Sequence, residues 1–249
     1  MIHGARYLSA LVGRTVWHGG RTMGAALRKL PQVTGGVYDR EARDWARAML
    51  RAARVTVRVE GDLRPPDGGT CVYVSNHVSF LDILALLAEL PGTVRFVFKA
   101  ELMRIPVFGG ALRASGHIRI ERTNRAAAFT AYHRAAEALR QGRSAVVFAE
   151  GTRSRDGTLL PFKRGPFVLA IAGQVPVVPV RVVGAWELQP KGKLIPRSGT
   201  VTLRAGAPIG TVGMDYEDRE ELTRQAFLAV EALGDTDSTD FTDCTDSTR

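Results

Sequence analysis

The spacing of apolar residues changes near residue 55, where a helical period gives way to the alternation and short apolar runs that are typical of strands. Before residue 55, apolar positions recur every three or four residues in two stretches, 6–30 and 39–54, and predict two amphipathic helices. We expect Gly19 and Gly20 to interrupt or kink the first helix. A loop is predicted around 31–36, between the two helices.

Beyond residue 55, strands and helices are predicted in alternation. The predicted strands cover 55–59, 70–75, 94–98, 117–120, 144–148, 175–183 and 200–205. The predicted helices cover 79–90, 124–141, 165–173 and 216–233, and the segment 103–115 is predicted to be rich in loops. This alternation predicts an α/β fold with a central, mostly parallel sheet flanked by helices.

The same pattern divides the chain into three parts. Residues 1–54 form a basic amphipathic two-helix segment, 55–233 form the α/β domain, and 234–249 form a polar tail. The tail repeats Thr, Asp and Ser with little to bury, so we expect it to be acidic and disordered.

The charge of the chain indicates what kind of partner it binds. There are 34 Lys and Arg against 25 Asp and Glu among 249 residues, a formal net charge of +9. Because the tail is acidic, residues 1–233 carry about +13. Such a charge predicts an anionic partner: nucleic acid, anionic lipid or a phosphorylated substrate. No aromatic platform accompanies the basic residues, so a nucleic-acid partner is not expected.

The arginines of the two-helix segment fall on one face of each helix. In the first helix, Arg6, Arg14, Arg21 and Arg28 lie opposite Val12, Val16, Met23, Leu27 and Leu30. In the second helix, a stripe of Arg40, Arg43, Arg47, Arg51 and Arg54 lies opposite Trp45, Ala46, Met49 and Ala53. Such helices either dock on an anionic membrane surface or bury their apolar faces against the domain while the arginines face water.

The cysteine count and the hydropathy pattern of the chain exclude further classes of protein. Two cysteines, Cys71 and Cys244, exclude a disulfide scaffold, and no Cys/His grouping has zinc spacing. The longest charge-free run, 165–180, is shorter than the about 20 residues that span a bilayer. The N-terminus lacks the apolar core and cleavage site of a signal peptide. These features predict a chain without a membrane span.

A histidine and an aspartate follow the predicted strand 70–75 directly, in the segment 76–82 (Asn-His-Val-Ser-Phe-Leu-Asp). In open parallel sheets, ligands bind at this end of the strands. With a strand-to-helix turn between them, Asp82 can hold one imidazole nitrogen of His77 and leave the other as a base. No nucleophile motif accompanies the pair, so we expect the base to activate a substrate hydroxyl. The alternative is a structural histidine beside a helix-capping Ser79.

Two further segments carry candidate chemistry. The segment 148–155 (Phe-Ala-Glu-Gly-Thr-Arg-Ser-Arg) follows another buried strand. There, Gly151 permits a tight turn, and Thr152 and Arg153 are donors of the kind that bind phosphate. An ordinary solvated turn is the alternative. The segment 118–122 (Ile-Arg-Ile-Glu-Arg) ends a strand with a charge pair and is a weak signal alone.

Together and in this order, these segments resemble the motifs of the glycerolipid acyltransferases, most closely the lysophosphatidate acyltransferase (PlsC-like) family. Residues 76–82 match Asn-His-x-Ser-x-x-Asp throughout. Residues 106–122 match a Gly-rich stretch that leads to Gly-x-Ile-x-Ile-Asp/Glu-Arg. Residues 148–154 match Phe-Pro-Glu-Gly-Thr-Arg-Ser except for Ala149, and 175–180 match the apolar fourth block. The resemblance covers about 55–210 and identifies 55–233 as the acyltransferase domain.

The resemblance implies transfer of a fatty acyl group from an acyl thioester, acyl-CoA or acyl-ACP, to the free hydroxyl of lysophosphatidic acid, which gives phosphatidic acid. It implies that His77 takes the hydroxyl proton and that Asp82 orients His77. No cofactor or metal is expected, because the thioester is already activated. Since the acceptor is a membrane lipid, residues 1–54 are expected to dock on the cytoplasmic face of an anionic phospholipid membrane, as a peripheral, monotopic segment.

The resemblance also implies how the acceptor phosphate is bound. Arg122, Arg153 and Lys163 would hold the phosphate, Gly151 and Thr152 would form the turn beside it, and Glu150 would orient the cations or a substrate hydroxyl. Other acceptors stay open: glycerol 3-phosphate, another lysophospholipid or a lyso-aminolipid. So does a non-enzymatic protein that binds anionic lipid or nucleic acid.

Overall fold

The structure is a computed structural model that describes residues 2–120 and 125–234. For residues 2, 3, 99 and 125–129 only the backbone is described. Arg122, the expected helix cap Asn124 and the tail beyond residue 234 lie outside the described residues.

The described residues form an alternating α/β chain. The helices are α1 (Ile2–Leu27), α2 (Val37–Ala53), α3 (Leu81–Glu89), α4 (Phe108–Ala114), α5 (Arg125–Arg140), α6 (Gly165–Gly173), α7 (Ala185–Leu188) and α8 (Arg219–Ala232). The strands are β1 (Val55–Glu60), β2 (Val72–Ser75), β3 (Thr93–Lys99), β4 (Ile118–Ile120), β5 (Arg143–Phe148), β6 (Val177–Val183) and β7 (Gly199–Ala205). Short 3₁₀ turns cover Pro66–Gly68, Ala100–Arg104 and Tyr216–Asp218.

The strands form one seven-stranded sheet in the order β1-β7-β6-β2-β5-β3-β4. Every neighbouring pair is parallel except β6 and β7, which are antiparallel. The predicted α/β class with a mostly parallel sheet is therefore confirmed. The strands buried on both faces read as apolar runs, as parallel sheets require.

Two apolar cores lie on opposite faces of the sheet. One core joins α1, α2 and α3 to the sheet through residues such as Tyr7, Met49 and Leu84. The other core joins α5, α6 and α8 to the opposite face through residues such as Leu139 and Leu169. The sheet is thus the middle layer of three, which is how α/β domains cover both apolar faces of a parallel sheet.

The first helix corrects the prediction for Gly19 and Gly20, because α1 runs through both without a break. A Cβ atom at Gly19 would lie 2.7 Å from Cγ1 of Val107, at the start of α4. Gly19 therefore serves close packing of α1 on the neighbouring helix. A helix tolerates glycine at a cost of about 1 kcal/mol, which packing of this kind can offset.

The segment 103–115 was predicted to be loop-rich and instead contains a 3₁₀ turn and helix α4. Its glycines again serve close packing. A Cβ at Gly109 would overlap the carbonyl oxygen of Met103, and one at Gly110 would lie 2.8 Å from Sδ of Met23. From the local sequence alone, glycine is expected to break a helix. In this segment, contacts with neighbouring elements explain why glycine lies within a helix.

The arginine stripe of α2 does not simply face water. Arg43 donates to the carbonyl oxygens of Leu90 (2.8 Å) and Gly92, and Arg47 donates to Ala88 (3.1 Å). These carbonyls lie at the end of α3, where cations favour the unpaired oxygens of the last turn. Two arginines of the stripe therefore hold α2 against α3, while the opposite face of α2 is buried in the first core.

Helix α1 behaves differently from α2, because most of its predicted apolar face is exposed. Val12, Val16 and Leu27 are 66%, 54% and 84% exposed, and Met23 is 37% exposed. Another face, which includes Tyr7 and Ala25, is buried against the domain. A search of the described residues finds no helix with the length and apolar character needed to cross a bilayer.

Candidate active site

Two adjacent strands deliver the candidate residues to one edge of the sheet. Strands β2 and β5 are parallel neighbours, and Ser75 pairs with Phe148 at their carboxyl ends. The segments 76–82 and 149–155 therefore leave the sheet side by side. This is the edge where open α/β sheets bind ligands, as the sequence pattern predicted.

Hydrogen bonds join the two segments at His77. Its backbone N–H donates to Oε1 of Glu150 at 2.7 Å, and its carbonyl oxygen accepts from the N–H of Ser154 at 2.8 Å. The Asn76 side chain bonds both the N–H and the carbonyl of Val182, on the other side of β2. The backbone that carries His77 is thus fixed on both sides.

His77 and Asp82 form the predicted pair. Nδ1 of His77 lies 2.8 Å from Oδ2 of Asp82, whose side chain is fully buried. Because the carboxylate can only accept, Nδ1 carries the hydrogen and Nε2 is left with its lone pair. The imidazole stacks on the Phe148 ring at a centroid distance of 3.9 Å, which fixes the plane of the ring.

Asp82 is held in place by the start of α3. Its Oδ2 also accepts from the N–H groups of Val78 (2.7 Å) and Ser79 (2.8 Å), while Oδ1 is buried without a partner among the described residues. A carboxylate in the first turn is stabilised by the helix dipole. Oγ of Ser79 accepts from the N–H of Leu81, although the N-cap residue of α3 is Phe80.

Glu150 makes two contacts that the sequence did not predict. Its two oxygens accept from the N–H groups of His77 and Leu160, and its role in orienting cations or a substrate hydroxyl stays a prediction. It therefore joins the two motif segments to each other. Burial raises the pKa of Glu150 from its ordinary 4.5 to about 7, against the opposite effect of these two hydrogen bonds.

We expect the Glu150→Gln variant to lose a pH dependence of stability. The folded chain holds the Glu150 proton more tightly than the unfolded chain, so its contribution is present below pH 4.5 and is lost as pH rises through about 7. Chemical denaturation of both proteins at pH 5 and pH 8 measures the difference. Comparing the two proteins at each pH cancels other groups such as His117, and parallel pH profiles would contradict the assignment.

Arg153, Thr152 and Gly151 line a cavity next to His77, as does Lys191 from the segment after α7. Nζ of Lys191 lies 2.9 Å from the carbonyl oxygen of Arg153 and 3.3 Å from Oγ1 of Thr152. Sequence reasoning missed Lys191, because it lies about 40 residues along the chain in a segment without a motif. It brings a second cation to the turn that carries Arg153.

Lys163 does not line the cavity next to His77. It is an exposed residue, although its backbone N–H donates to the carbonyl oxygen of Ala149.

Gly151 has a φ of 75°, a left-handed conformation that favours glycine and permits the turn to begin directly after Glu150. The turn therefore presents Thr152 and Arg153 to the cavity.

The cavity has a volume of about 690 Å³ and lies between the sheet and helices α1 to α4. Most of its wall is apolar, including Phe80, Leu87, Phe98 and Phe108. His77 and Arg153 line it as well. A base and a cation at the wall of an apolar cavity suit a ligand with an apolar chain and an anionic group.

Comparisons with known proteins agree with this geometry. The model of the Acyltransferase family matches residues 56–183, which include both motif segments. A chloroplastic 1-acyl-sn-glycerol-3-phosphate acyltransferase of Brassica napus is 41% identical over 128 residues, 51% of this chain and 37% of that protein. The alpha enzyme of the same name from Homo sapiens is 35% identical over 165 residues, 66% of this chain and 58% of that protein.

A solved structure is similar over nearly the whole chain. The 1-acyl-sn-glycerophosphate acyltransferase PlsC of Thermotoga maritima has a TM-score of 0.79 and 26% identity, and the match covers 97% of each chain. The curated relatives are longer, and the two matches above span 37% and 58% of their length. The likeness to PlsC therefore extends to the two N-terminal helices.

Proposed function

The chain belongs to the acyltransferase family, and from that premise we propose that it transfers a fatty acyl group from an acyl thioester to the hydroxyl of lysophosphatidic acid, giving phosphatidic acid. The observation that carries the proposal is the His77–Asp82 pair, held beside Arg153 at the wall of a large apolar cavity. Relatives named for this reaction support the choice of acceptor.

In the proposed reaction, Nε2 of His77 takes the proton of the acceptor hydroxyl as its oxygen attacks the thioester carbonyl. A carbon–oxygen bond forms, and the carbon–sulfur bond of the tetrahedral intermediate then breaks. The proton on His77 passes to the departing thiolate, so the enzyme ends as it began. Asp82 keeps His77 in the tautomer that can accept the proton and stabilises the imidazolium. Such base catalysis is worth about 10²–10⁴-fold in rate.

The acceptor phosphate would lie against the turn after β5. Arg153 and Lys191 supply positive charge there, and Thr152 supplies a hydroxyl donor. Charge-assisted hydrogen bonds are the strong ones, so two cations at one turn suit a phosphate monoester. Arg122 and Lys163 stay in the proposal as further cations; Arg122 lies outside the described residues, and Lys163 does not line the cavity.

The acyl chain of the donor would occupy the apolar cavity. Its wall of aromatic and aliphatic side chains would bury the chain as it leaves water, and burial contributes about 0.8 kcal/mol per methylene. With the chain in the cavity, the thioester carbonyl would come to the side where His77 and Arg153 lie.

A matrix of acceptors and donors tests the proposal. Lysophosphatidic acid, glycerol 3-phosphate, a lysophospholipid with a larger head group and a lyso-aminolipid are each assayed with acyl-CoA and with acyl-ACP, by product formation. We expect lysophosphatidic acid to give the highest kcat/KM with at least one donor. Preference for another acceptor would move the enzyme to that lipid, and no turnover on any pair would reject the activity.

Docking on a membrane is the second part of the proposal. Helix α1 presents Val12, Val16 and Leu27 to solvent, and its arginines lie on another face of the same helix; interfacial helices that bind anionic bilayers combine an apolar face with basic residues in this way. We place this docking on the cytoplasmic face of the membrane. The surface is the exposed face of α1, since Arg43 and Arg47 of α2 are engaged with α3.

Placing charge on this face should weaken binding to vesicles. We expect Val12→Asp with Leu27→Asp to lower partitioning onto anionic vesicles about tenfold or more, because two side chains of 66% and 84% exposure lose their apolar burial. Sedimentation with vesicles of graded anionic content measures it. Leu228→Asp, on α8 in the opposite helical layer, is the matched control. Equal partitioning of the wild-type protein and the Val12→Asp, Leu27→Asp double variant would eliminate docking through α1.

A further inference from the structure

The cavity beside His77 is polar on one side. Thr15, His18 and Thr22 of α1 and Glu41 of α2 line it, in addition to the polar residues of the candidate active site. None of these four residues belongs to a motif of the acyltransferase resemblance. Polar side chains in the wall do not help a cavity to hold a hydrocarbon chain. The hydrogen bonds of these four residues therefore indicate what each of them does.

Most of the polar atoms in this group already bond one another. Nδ1 of His18 donates to Oε2 of Glu41 at 2.8 Å, and Arg21 donates to Oε1 of Glu41 at 2.6 Å. The Thr22 hydroxyl donates to the carbonyl of His18 at 2.9 Å. These bonds hold α1 on α2, and this structural role accounts for Glu41, Arg21 and Thr22.

Two atoms of this group, a hydroxyl hydrogen and a ring nitrogen, have no hydrogen-bond partner among the described residues. The Thr15 oxygen accepts from Nε1 of Trp45 at 3.1 Å, but its own hydrogen has no acceptor among the described residues. His18 directs its Nδ1 hydrogen to Glu41, so Nε2 of the neutral ring is an acceptor, and no described residue donates to it. The two residues are three apart on α1 and are neighbours on the helix surface.

A free donor and a free acceptor on adjacent turns of α1 match a group that both accepts and donates, and a hydroxyl is the simplest such group that a fatty acyl chain can carry. The Thr15 hydroxyl can donate to its oxygen, and Nε2 of His18 can accept its hydrogen. An unsubstituted chain in the same place would displace water from both atoms and leave them unpaired. Sites with buried, unpaired polar groups discriminate against the ligand that lacks the partner.

We propose that Thr15 and His18 bind a hydroxyl carried by the acyl chain, so that the enzyme prefers a hydroxyacyl thioester to the unsubstituted donor of equal length. The inference rests on the proposed function, in which the donor chain lies in this cavity. It adds a specificity site on α1, separate from His77 and Asp82.

The test compares donors that differ only in a hydroxyl. The full chain is assayed with lysophosphatidic acid and 16-carbon acyl-CoA thioesters, either unsubstituted or hydroxylated near the carboxyl end, at mid-chain or at the terminal carbon. We expect at least one hydroxylated donor to exceed the unsubstituted one about tenfold in kcat/KM. In Thr15→Val, which keeps the shape and loses the hydrogen, this ratio should fall to near one, while Thr15→Ser retains it.

The control and the contrary outcomes are distinct. Thr56→Val, at an exposed position of β1, should leave the ratio unchanged. If Thr15→Val lowers both donors equally, Thr15 is structural and the inference fails. If the wild-type enzyme uses the unsubstituted donor and prefers no hydroxylated one, the inference fails while the proposed function stands. If no donor is used with any acceptor, both fail.

Discussion

The His77→Ala variant is expected to lose at least about a hundredfold in kcat while it stays folded. The His77 imidazole is oriented by the fully buried carboxylate of Asp82, keeps its lone pair on Nε2 and lines the cavity together with Arg153. Its removal takes away the base that the proposed reaction uses for the acceptor hydroxyl. The backbone bonds that hold the segment, from His77 to Glu150 and Ser154, do not depend on the side chain, so the fold should survive.

Asp82→Asn should cost a similar factor for a different reason. An amide oxygen in the place of Oδ2 can still accept the same three hydrogens, but it carries no negative charge, so the imidazolium that forms on His77 loses the carboxylate that stabilises it. Thermal unfolding alongside kcat separates this effect from loss of structure. His133→Ala, at an exposed position of α5, is the matched control. A near wild-type kcat in folded His77→Ala would overturn the mechanism.

The placement of the site could be predicted because it depends on short-range chemistry. An apolar run followed by Asn76 and His77, and another followed by Ala149 and Glu150, mark two strand ends. In a parallel sheet, all carboxyl ends reach the same edge, so two such segments meet if their strands are close. The pairing of Ser75 with Phe148 brings them together at the same level.

The contacts between distant parts of the chain could not be predicted in the same way. Glycine acts locally as a helix breaker, yet Gly19 and Gly109 are sites of close packing, which only the tertiary neighbour reveals. An arginine stripe is typical of a solvated or lipid-facing surface, yet Arg43 and Arg47 hold the end of α3. Lys191 reaches the site from a segment with no motif. Each depends on which element lies opposite, and the periodicity of one element does not contain that information.

The exposed face of α1 is an instructive intermediate case. The sequence predicted its apolar residues correctly as one face, and two outcomes were open for that face. Val12 and Leu27 are exposed because α1 is held on the domain through other residues, including the Glu41 contacts of His18 and Arg21. A monomeric protein seldom leaves such a stripe in water without a partner, which is why the docking test on this face matters.

Arg153→Ala is expected to raise the KM for the phosphorylated acceptor about tenfold to a hundredfold, with little change in the KM for the donor. Loss of a charge-assisted bond to a phosphate costs about 1.5–3 kcal/mol, and the contact is made in the ground state as well as the transition state. Arg153 lines the cavity next to His77, and its backbone carbonyl oxygen accepts from Nζ of Lys191, a bond that Arg153→Ala can retain.

A phosphate-free acceptor makes this prediction specific. With a monoacylglycerol of the same chain, the wild-type enzyme should already show a high KM, and Arg153→Ala should change it little, since no phosphate contact is lost. Lys191→Ala should also raise the KM for the phosphorylated acceptor, but by a smaller factor, because Lys191 is the more exposed of the two cations. Arg224→Ala, on α8 and paired with Glu221, controls for the loss of one surface arginine. An equal rise in the KM of donor and acceptor would contradict the assignment, because the proposed bond is made to the acceptor phosphate alone.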